Sequence, residues 1–237
     1  MANQNGRILW EGPSAYDGQP IVVIATGFES PSDNPKTGDM IQTWILRQDV
    51  KPNEGFKSAQ DGISVCGDCP HAGYNNGTCY VSWYQGPLSV WNCYKRGGYA
   101  PIGQDWSLFS GRAVRLGSAG DPAMVPFEVW KQALEYATKH TGYTHQWRYD
   151  WAQDFKGTVQ ASCDGFRDYV EATALGWNTF LVTPPGQTKI EGTVHCAASE
   201  ERGNKTTCQA CHLCDGKSAN VMIWGHGRSH KKIAMLN

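Results

Sequence analysis

Ala113-Val-Arg-Leu-Gly117 is the first of several short strand-like runs that alternate with helical segments in this chain. The segment at residues 126–137 repeats large apolar residues at helical spacing and begins with proline, which is typical of an amphipathic helix. Further strands are predicted at 143–147, 158–164 and 179–183, and a further helix at 165–175. Strands that alternate with helices usually pair in parallel. The segments from residue 113 to residue 183 therefore predict an α/β protein, either a partial βα barrel or an open, mostly parallel sheet.

Short apolar runs extend this pattern in both directions. Residues 21–27 and 40–47 predict two buried strands that form a hairpin-like entry to the fold, and residues 221–225 predict the last strand. The sequence has no short-period repeat and no low-complexity segment. We therefore expect an irregular N-terminal arm, a single α/β domain and a basic C-terminal tail, at residues 1–20, 21–227 and 228–237.

Four of the nine cysteines lie in a loop that we call the second cysteine loop, residues 196–214. Cys208, Cys211 and Cys214 are separated by two residues each, and eleven residues lie between Cys196 and Cys208. Disulfides between such close neighbours would be strained, whereas a loop with this spacing can direct several thiolates at one metal centre. Iron–sulfur clusters take four thiolates from runs of this kind, so we expect a 4Fe-4S cluster. Zinc is the alternative, although its thiolate sites more often come as two separated pairs.

A first cysteine loop, within residues 66–93, begins with Cys66-Gly-Asp-Cys69-Pro-His71 and continues to Cys79. Cys66 and Cys69 can chelate a metal across a tight turn, and Cys79 is the obvious third ligand. The fourth ligand is left to His71, to Cys93 or to an open position. A cysteine on a predicted helix, such as Cys93, is more often a small buried apolar residue than a ligand.

Polar residues follow several of the predicted strands. In parallel α/β folds, chemistry collects at the carboxyl ends of the strands, so we expect Asp121, His145 and Arg148 to be catalytic residues. For Asp121 and Asp164, capping of the following helix is an equal alternative. Arg148 would bind a carboxylate or phosphate group, or would pair with a nearby acid such as Asp150.

Composition excludes several classes of protein. The formal net charge is −1, which indicates neither a nucleic-acid nor a membrane partner. The chain has no apolar run of about 18 residues and no apolar segment of a secretory signal behind its first residues. We therefore expect a cytoplasmic protein whose cysteines bind metal rather than form disulfides. The expected partner is an unidentified small molecule or protein.

Four motifs in combination resemble a family of uncharacterised phage and prophage proteins. They are Cys66-Gly-Asp-Cys69-Pro-His71…Cys79-Tyr80, Arg115-Leu-Gly-Ser-Ala-Gly-Asp121-Pro, His140-Thr-Gly-Tyr-Thr-His145-Gln-Trp147 and Cys208-x2-Cys211-x2-Cys214. The resemblance runs from about residue 20 to residue 227. That family has no established activity, but the resemblance implies the cytoplasm of a bacterial host as the location.

More distantly, the chain resembles phage proteins with a radical-SAM-like barrel. This resemblance rests on Cys79-Tyr80, on Ala119-Gly-Asp121 and on the Cys208 to Cys214 run. It implies an iron–sulfur cluster and S-adenosylmethionine (SAM) as cofactors. Radical SAM enzymes typically hold the cluster on Cys-x3-Cys-x2-Cys, whereas this chain has Cys-x2-Cys-x9-Cys, so SAM is the weaker of the two expectations.

Two hypotheses from different classes follow. In the first, the protein is an iron–sulfur protein, and the expected chemistry is that of a redox or radical-type enzyme. In the second, zinc or a cluster stabilises loops that lack a core of their own, and the protein binds a partner without catalysis. The sequence leaves open whether the protein is an enzyme.

Overall fold

The computed structural model describes residues 3–32 and 34–225. In the N-terminal half of these residues, short apolar runs form strands β1 (Gly6–Pro13), β2 (Pro20–Thr26), β3 (Met40–Arg47), β4 (Ala100–Pro101) and β5 (Ala113–Ala119). The C-terminal half contributes β6 (Lys139–Thr144), β7 (Gln160–Cys163), β8 (Thr179–Thr183), β9 (Thr193–His195) and β10 (Asn220–Trp224). These strands form one sheet in the order β4-β1-β2-β3-β5-β6-β7-β8-β10-β9.

The sheet is mixed but mostly parallel, which confirms the predicted α/β class with an open, mostly parallel sheet. β2 pairs antiparallel with both β1 and β3, whereas every pairing from β3 to β9 along the sheet is parallel. β3, β5, β6, β7, β8 and β10 lie in the sheet in chain order. Their carboxyl ends therefore meet along one edge of the sheet.

Helices occupy the connections between the parallel strands. They are α1 (Pro52–Gly55), α2 (Ala59–Cys66), α3 (Gly86–Lys95), α4 (Phe127–Tyr136), α5 (Phe166–Ala174) and α6 (Cys208–Cys211). α4 buries Val129, Trp130 and Ala133, the spacing that an amphipathic helix uses to cover a sheet. Short 3₁₀ helices lie at Asp105–Phe109, Pro122–Met124, Asp150–Phe155 and Glu200–Arg202.

Two expectations about the chain's elements are corrected. The irregular arm that we expected at residues 1–20 is wrong for its described part, because Gly6–Pro13 is β1 and pairs with β2. The strand predicted at 143–147 is instead β6, which ends at Thr144. The end of the predicted domain, residues 226–227, and the predicted basic tail, residues 228–237, lie outside the described residues.

The buried apolar residues form a large cluster and a small one. The large cluster includes the fully buried side chains of Phe109, Trp130 and Trp147. The small cluster lies beside β10 and consists of Cys196, Ala198, Cys214, Val221 and Ile223. No helix among the described residues is long and apolar enough to span a membrane.

Candidate metal-binding cavity

A cavity of about 300 Å³ lies at the carboxyl ends of the parallel strands. The ends of β5, β6, β7, β8 and β10 contribute to its walls. Both cysteine loops face it, although they are far apart in the sequence. The predicted ligands that line the cavity are Cys66, Cys69, His71, Cys79, Cys196, Cys208, Cys211 and Cys214.

The first cysteine loop begins where α2 ends. Cys66 is the last residue of α2, and Gly67 follows with a φ of +56°. This φ favours glycine, and a Cβ atom at Gly67 would lie 2.4 Å from the Gln146 side-chain oxygen, so the end of that side chain would have to shift for any other residue. Beyond the turn, the Cys69 N–H donates to the Cys66 carbonyl over 3.2 Å. The turn therefore brings the first two thiols to the same side of the loop.

Side-chain amides then hold the return of this loop toward its third thiol. Asn75 Nδ2 donates to the Cys69 carbonyl at 2.8 Å, and Asn76 Nδ2 donates to the Pro70 carbonyl at 2.9 Å. The Cys79 N–H donates to the His71 carbonyl at 2.9 Å. The turn-forming Asn-Asn-Gly sequence in this segment thus connects the candidate ligands before it to Cys79 after it.

In the second cysteine loop, a short helix and a left-handed residue arrange three thiols. Thr207 caps α6 by accepting from the Ala210 N–H at 3.2 Å, so Cys208 and Cys211 occupy the first and last positions of the helix. His212 has a φ of +43° and reverses the chain. Cys214 follows two residues later and is buried.

Backbone hydrogen bonds attach the second cysteine loop to the rest of the fold. The Cys196 N–H donates to the Met222 carbonyl at 2.8 Å, which anchors this thiol beside β10. The Cys208 N–H donates to the Lys36 carbonyl at 2.8 Å. The Cys214 carbonyl accepts from Gly142 on β6 at 3.0 Å. The loop is therefore held at three points, by β10, by the segment before β3 and by β6.

Within the first loop, the thiols are close enough to influence one another's ionisation. Burial raises the pKa of Cys66, and the neighbouring Cys69 and Cys79 raise it further. Burial also raises the pKa of Cys79, while the indole of Trp83 works in the opposite direction. That buried indole N–H has no hydrogen-bond partner of regular geometry. Its effect on Cys79 indicates that it lies near the sulfur, where it would stabilise a thiolate.

The second loop has the same electrostatic character. Burial raises the pKa of Cys214, and Cys196, Cys208 and Cys211 raise it further, while Tyr143 opposes the shift. Because the pKa values of these buried thiols are raised, several of them do not ionise together unless a cation is present. Binding a metal ion or cluster supplies the positive charge that makes these thiolates stable.

No three thiols among the described residues form a compact set of metal ligands. Tetrahedral zinc at about 2.3 Å from each sulfur requires thiolates about 3.8 Å apart. Among the described residues, the one set of three His, Cys, Asp or Glu side chains with all ligating atoms within 4.8 Å of one another contains no cysteine.

The compact set consists of His71, His145 and Asp164. The Asp164 carboxylate lies between the two imidazoles, with Oδ1 2.6 Å from His71 Nε2 and Oδ2 3.3 Å from His145 Nε2. The two rings meet edge to face at 5.6 Å. Burial raises the pKa of Asp164, but His145 and His71 outweigh it and hold that pKa well below its ordinary value. For His145, burial lowers the pKa, but Cys69 and Asp164 outweigh it and raise that pKa well above normal.

Asp121 lines the cavity and also holds two strand ends together. Its carboxylate accepts from the Ala123 N–H at 3.0 Å, which caps the following 3₁₀ helix, and from the His145 N–H at 2.8 Å. Burial raises the pKa of this carboxyl group. The capping role that we weighed for Asp121 therefore coexists with a position in the cavity wall.

Arg148 is not brought to the cavity. Its guanidinium is partly exposed and lies 2.6 Å from the Asp168 carboxylate and 2.8 Å from that of Glu171. It also lies over the Trp147 ring at 3.8 Å. These acids on α5, rather than the expected Asp150, are its partners.

The cavity contains an arginine that sequence reasoning did not select. Arg115 on β5 donates a hydrogen bond to the Tyr80 hydroxyl and lies near Tyr143 and Cys208. Burial lowers its pKa, but these groups outweigh burial and raise it. An arginine within an otherwise apolar buried strand was the available signal. For Asp164, a site role and helix capping were equal alternatives, and it was not named among the expected ligands because a carboxylate before a helix resembles an ordinary cap.

The two remaining cysteines lie elsewhere. The Cys163 thiol is buried in the large apolar cluster and donates to the Ala161 carbonyl over 3.5 Å. The Cys93 sulfur is 4.0 Å from the Asn3 side-chain amide and packs against Gly98. Neither residue lines the cavity, so the structure does not bring Cys93 to the first cysteine loop as a fourth ligand.

Comparison with known proteins gives no relative: no family model, no curated protein and no solved structure matches this chain.

Proposed function

We propose that this protein is an iron–sulfur protein with two clusters in the walls of one cavity. Cys66, Cys69 and Cys79 would hold one cluster. Four thiolates of the second cysteine loop, Cys196, Cys208, Cys211 and Cys214, would hold the other. The proposal rests on one observation: all seven thiols line the same cavity.

The first cluster would have an open position. Cys93 is remote from the cavity, and His71 Nε2 is directed at Asp164. Three protein ligands leave one iron free to bind a small molecule, and this iron would face the cavity. The cavity volume of about 300 Å³ is at the lower end of the range for ligand pockets. The second cluster, with four thiolate ligands and no open iron position, would be suited to transferring electrons to or from the first.

A redox or radical-type enzyme is the function that this arrangement fits best. Iron–sulfur clusters supply one-electron chemistry when bound. Arg115 would attract an anionic group of a substrate, with Tyr80 fixing the guanidinium. The six parallel strands in chain order, with the first cysteine loop following β3, are consistent with the resemblance to radical-SAM-like barrels. SAM is accordingly the small molecule that we propose for the open position.

Purification without air tests the proposal most directly. We expect a brown protein with visible absorption from sulfide-to-iron charge transfer, and with iron and acid-labile sulfide in equal amounts. A colourless protein with stoichiometric zinc would overturn the proposal in favour of a structural metal protein. Metal content by mass spectrometry distinguishes the two outcomes without any assay of activity.

A second measurement tests SAM alone. After one-electron reduction, we expect added SAM to alter the electron paramagnetic resonance (EPR) spectrum of the cluster on Cys66, Cys69 and Cys79. S-adenosylhomocysteine, which lacks the sulfonium charge, is the matched control ligand. An unchanged spectrum would remove SAM from the proposal and leave the two clusters in place.

A further inference from the structure

His71, His145 and Asp164 come from three different elements. His71 belongs to the first cysteine loop, His145 follows β6 and Asp164 follows β7. Their ligating atoms nevertheless all lie within 4.8 Å of one another. We propose that these three side chains form a mononuclear site for a divalent first-row transition metal, which takes no thiol as a ligand. The inference does not depend on the two clusters.

The first argument is the support around the ligands. His71 Nδ1 lies 2.6 Å from Thr78 Oγ1, which leaves Nε2 directed at Asp164. The His145 backbone N–H is fixed by the Asp121 carboxylate at 2.8 Å. Metal-binding histidines usually have their second ring nitrogen bonded to an outer partner, which orients the ring and selects the tautomer. Thr78 is such a partner for His71, whereas the Asp121 bond positions the backbone of His145.

The second argument is a buried nitrogen without a regular partner. His145 Nε2 makes no hydrogen bond of ordinary geometry, although it lies 3.3 Å from Asp164 Oδ2. A buried polar atom usually has a hydrogen-bond partner of good geometry, and its long contact with Asp164 leaves this nitrogen available to a ligand. A cation between the imidazoles and the carboxylate would bind this nitrogen together with the other two donor atoms.

The donor set indicates the class of metal. Two imidazole nitrogens and one carboxylate oxygen suit iron(II), manganese, cobalt or zinc and leave further coordination positions open. His71 and His145 both line the cavity, so those positions face the same space as the thiols. A ligand in the cavity can therefore reach this ion and the open iron position that we propose for the first cluster.

Cobalt(II) titration of the anaerobically purified protein, with its iron and sulfide already measured, tests the site. We expect one equivalent of cobalt to bind with ligand-field absorption and without thiolate-to-cobalt charge transfer. Asp164→Asn should abolish this binding, and Thr78→Val should weaken it about 10- to 100-fold, as for other outer partners of metal ligands. Glu171→Gln, a surface carboxylate paired with Arg148, is the matched control and should bind cobalt normally.

A measurement on the unmodified protein covers the case in which Asp164→Asn does not fold. Pulsed EPR of bound manganese(II) should detect couplings to the nitrogens of two imidazoles. Absence of nitrogen coupling, strong thiolate charge transfer with cobalt, or unchanged binding in Asp164→Asn would each overturn the inference. A zinc-containing, colourless protein would refute the clusters, but manganese(II) bound after removal of that zinc would still report the two imidazoles, so the two failures are distinguishable.

Discussion

The two cysteine loops end at the same cavity but are built differently. In the first loop, Cys66 continues from α2 and packs against the large apolar cluster, and Ala72 and Thr78 are almost fully buried. In the second loop, Cys196, Ala198, Ser199 and Cys214 are buried, but no residue from 200 to 213 is. Packing thus holds the first loop along its length and the second only at its ends, so the middle of the second loop depends far more on what its thiols bind.

The small apolar cluster beside β10 also links the packing of the second loop to its candidate ligands. Two of its five buried members, Cys196 and Cys214, are themselves candidate ligands. If these thiols lose their metal, the cluster retains two buried thiols with raised pKa values, and the segment between them keeps only a few hydrogen bonds, such as that from the Cys208 N–H to the Lys36 carbonyl. Metal ligation can then supply folding free energy that such a short loop does not obtain from burial.

The largest effect that we expect is the response of the two loops to metal removal. After anaerobic treatment with a chelator, the second cysteine loop should become a protease-sensitive site while the first remains resistant. Structural metal sites contribute on the order of 10 kcal/mol to folding, far more than one loop's other contacts. Limited proteolysis with mass spectrometry locates the cuts. Earlier cleavage within residues 66–79 than within 196–214 would contradict the comparison.

Single cysteine replacements should separate the loops further. Cys69→Ser and Cys211→Ser should each lose about half of the iron and sulfide, because each removes a ligand from one of two clusters. Only Cys211→Ser should also make residues 196–214 sensitive to protease. Cys93→Ser is the control, since its sulfur lies outside the cavity, and should keep the full iron content. Full iron content in Cys211→Ser would exclude the second loop as a cluster site.

A pair of glycine replacements gives a smaller, graded test. Gly67→Ala should destabilise the protein by about 1–3 kcal/mol through backbone strain, and more through the contact with Gln146. Gly203 in the second loop also has a positive φ, but a Cβ atom there meets nothing within 4 Å. Gly203→Ala should therefore cost only about 1–2 kcal/mol. Urea midpoints compare the two variants, and an equal shift would argue against tighter packing at the first loop.

Local sequence patterns were sufficient for most of the scaffold. β3 and β8 have the predicted bounds because each is a short, β-branched run between turn residues. β6 was placed too late, since its chain leaves the sheet where the His145 N–H bonds to Asp121 rather than to a neighbouring strand. β1 was missed because its stability comes from pairing with β2, which the run itself does not reveal.

The site required contacts between distant parts of the chain. Spacing alone identified each group of thiols, but their meeting in one cavity follows from the order of the parallel strands. Asp164 illustrates the limit of local reading. Its position before α5 resembles a helix cap, yet its carboxylate lies between two imidazoles from other elements. A tertiary arrangement of this kind has no signature in the neighbouring sequence.

Arg148 provides the smallest effect and a test of where the chemistry lies. Because its guanidinium is partly exposed and paired with Asp168 and Glu171, Arg148→Ala should cost at most about 1 kcal/mol of stability. Loss of the contact with the Trp147 ring adds a similar small amount, about 0.5–1 kcal/mol. The iron and sulfide content of Arg148→Ala should not change, since the side chain lies outside the cavity. If Arg148 instead bound a ligand beside either cysteine loop, Arg148→Ala would also reduce the response of the cluster EPR spectrum to that ligand. Arg115→Ala is the informative counterpart: it should leave both clusters in place but reduce the affinity for an anionic ligand, because Arg115 is the guanidinium that lies among the thiols.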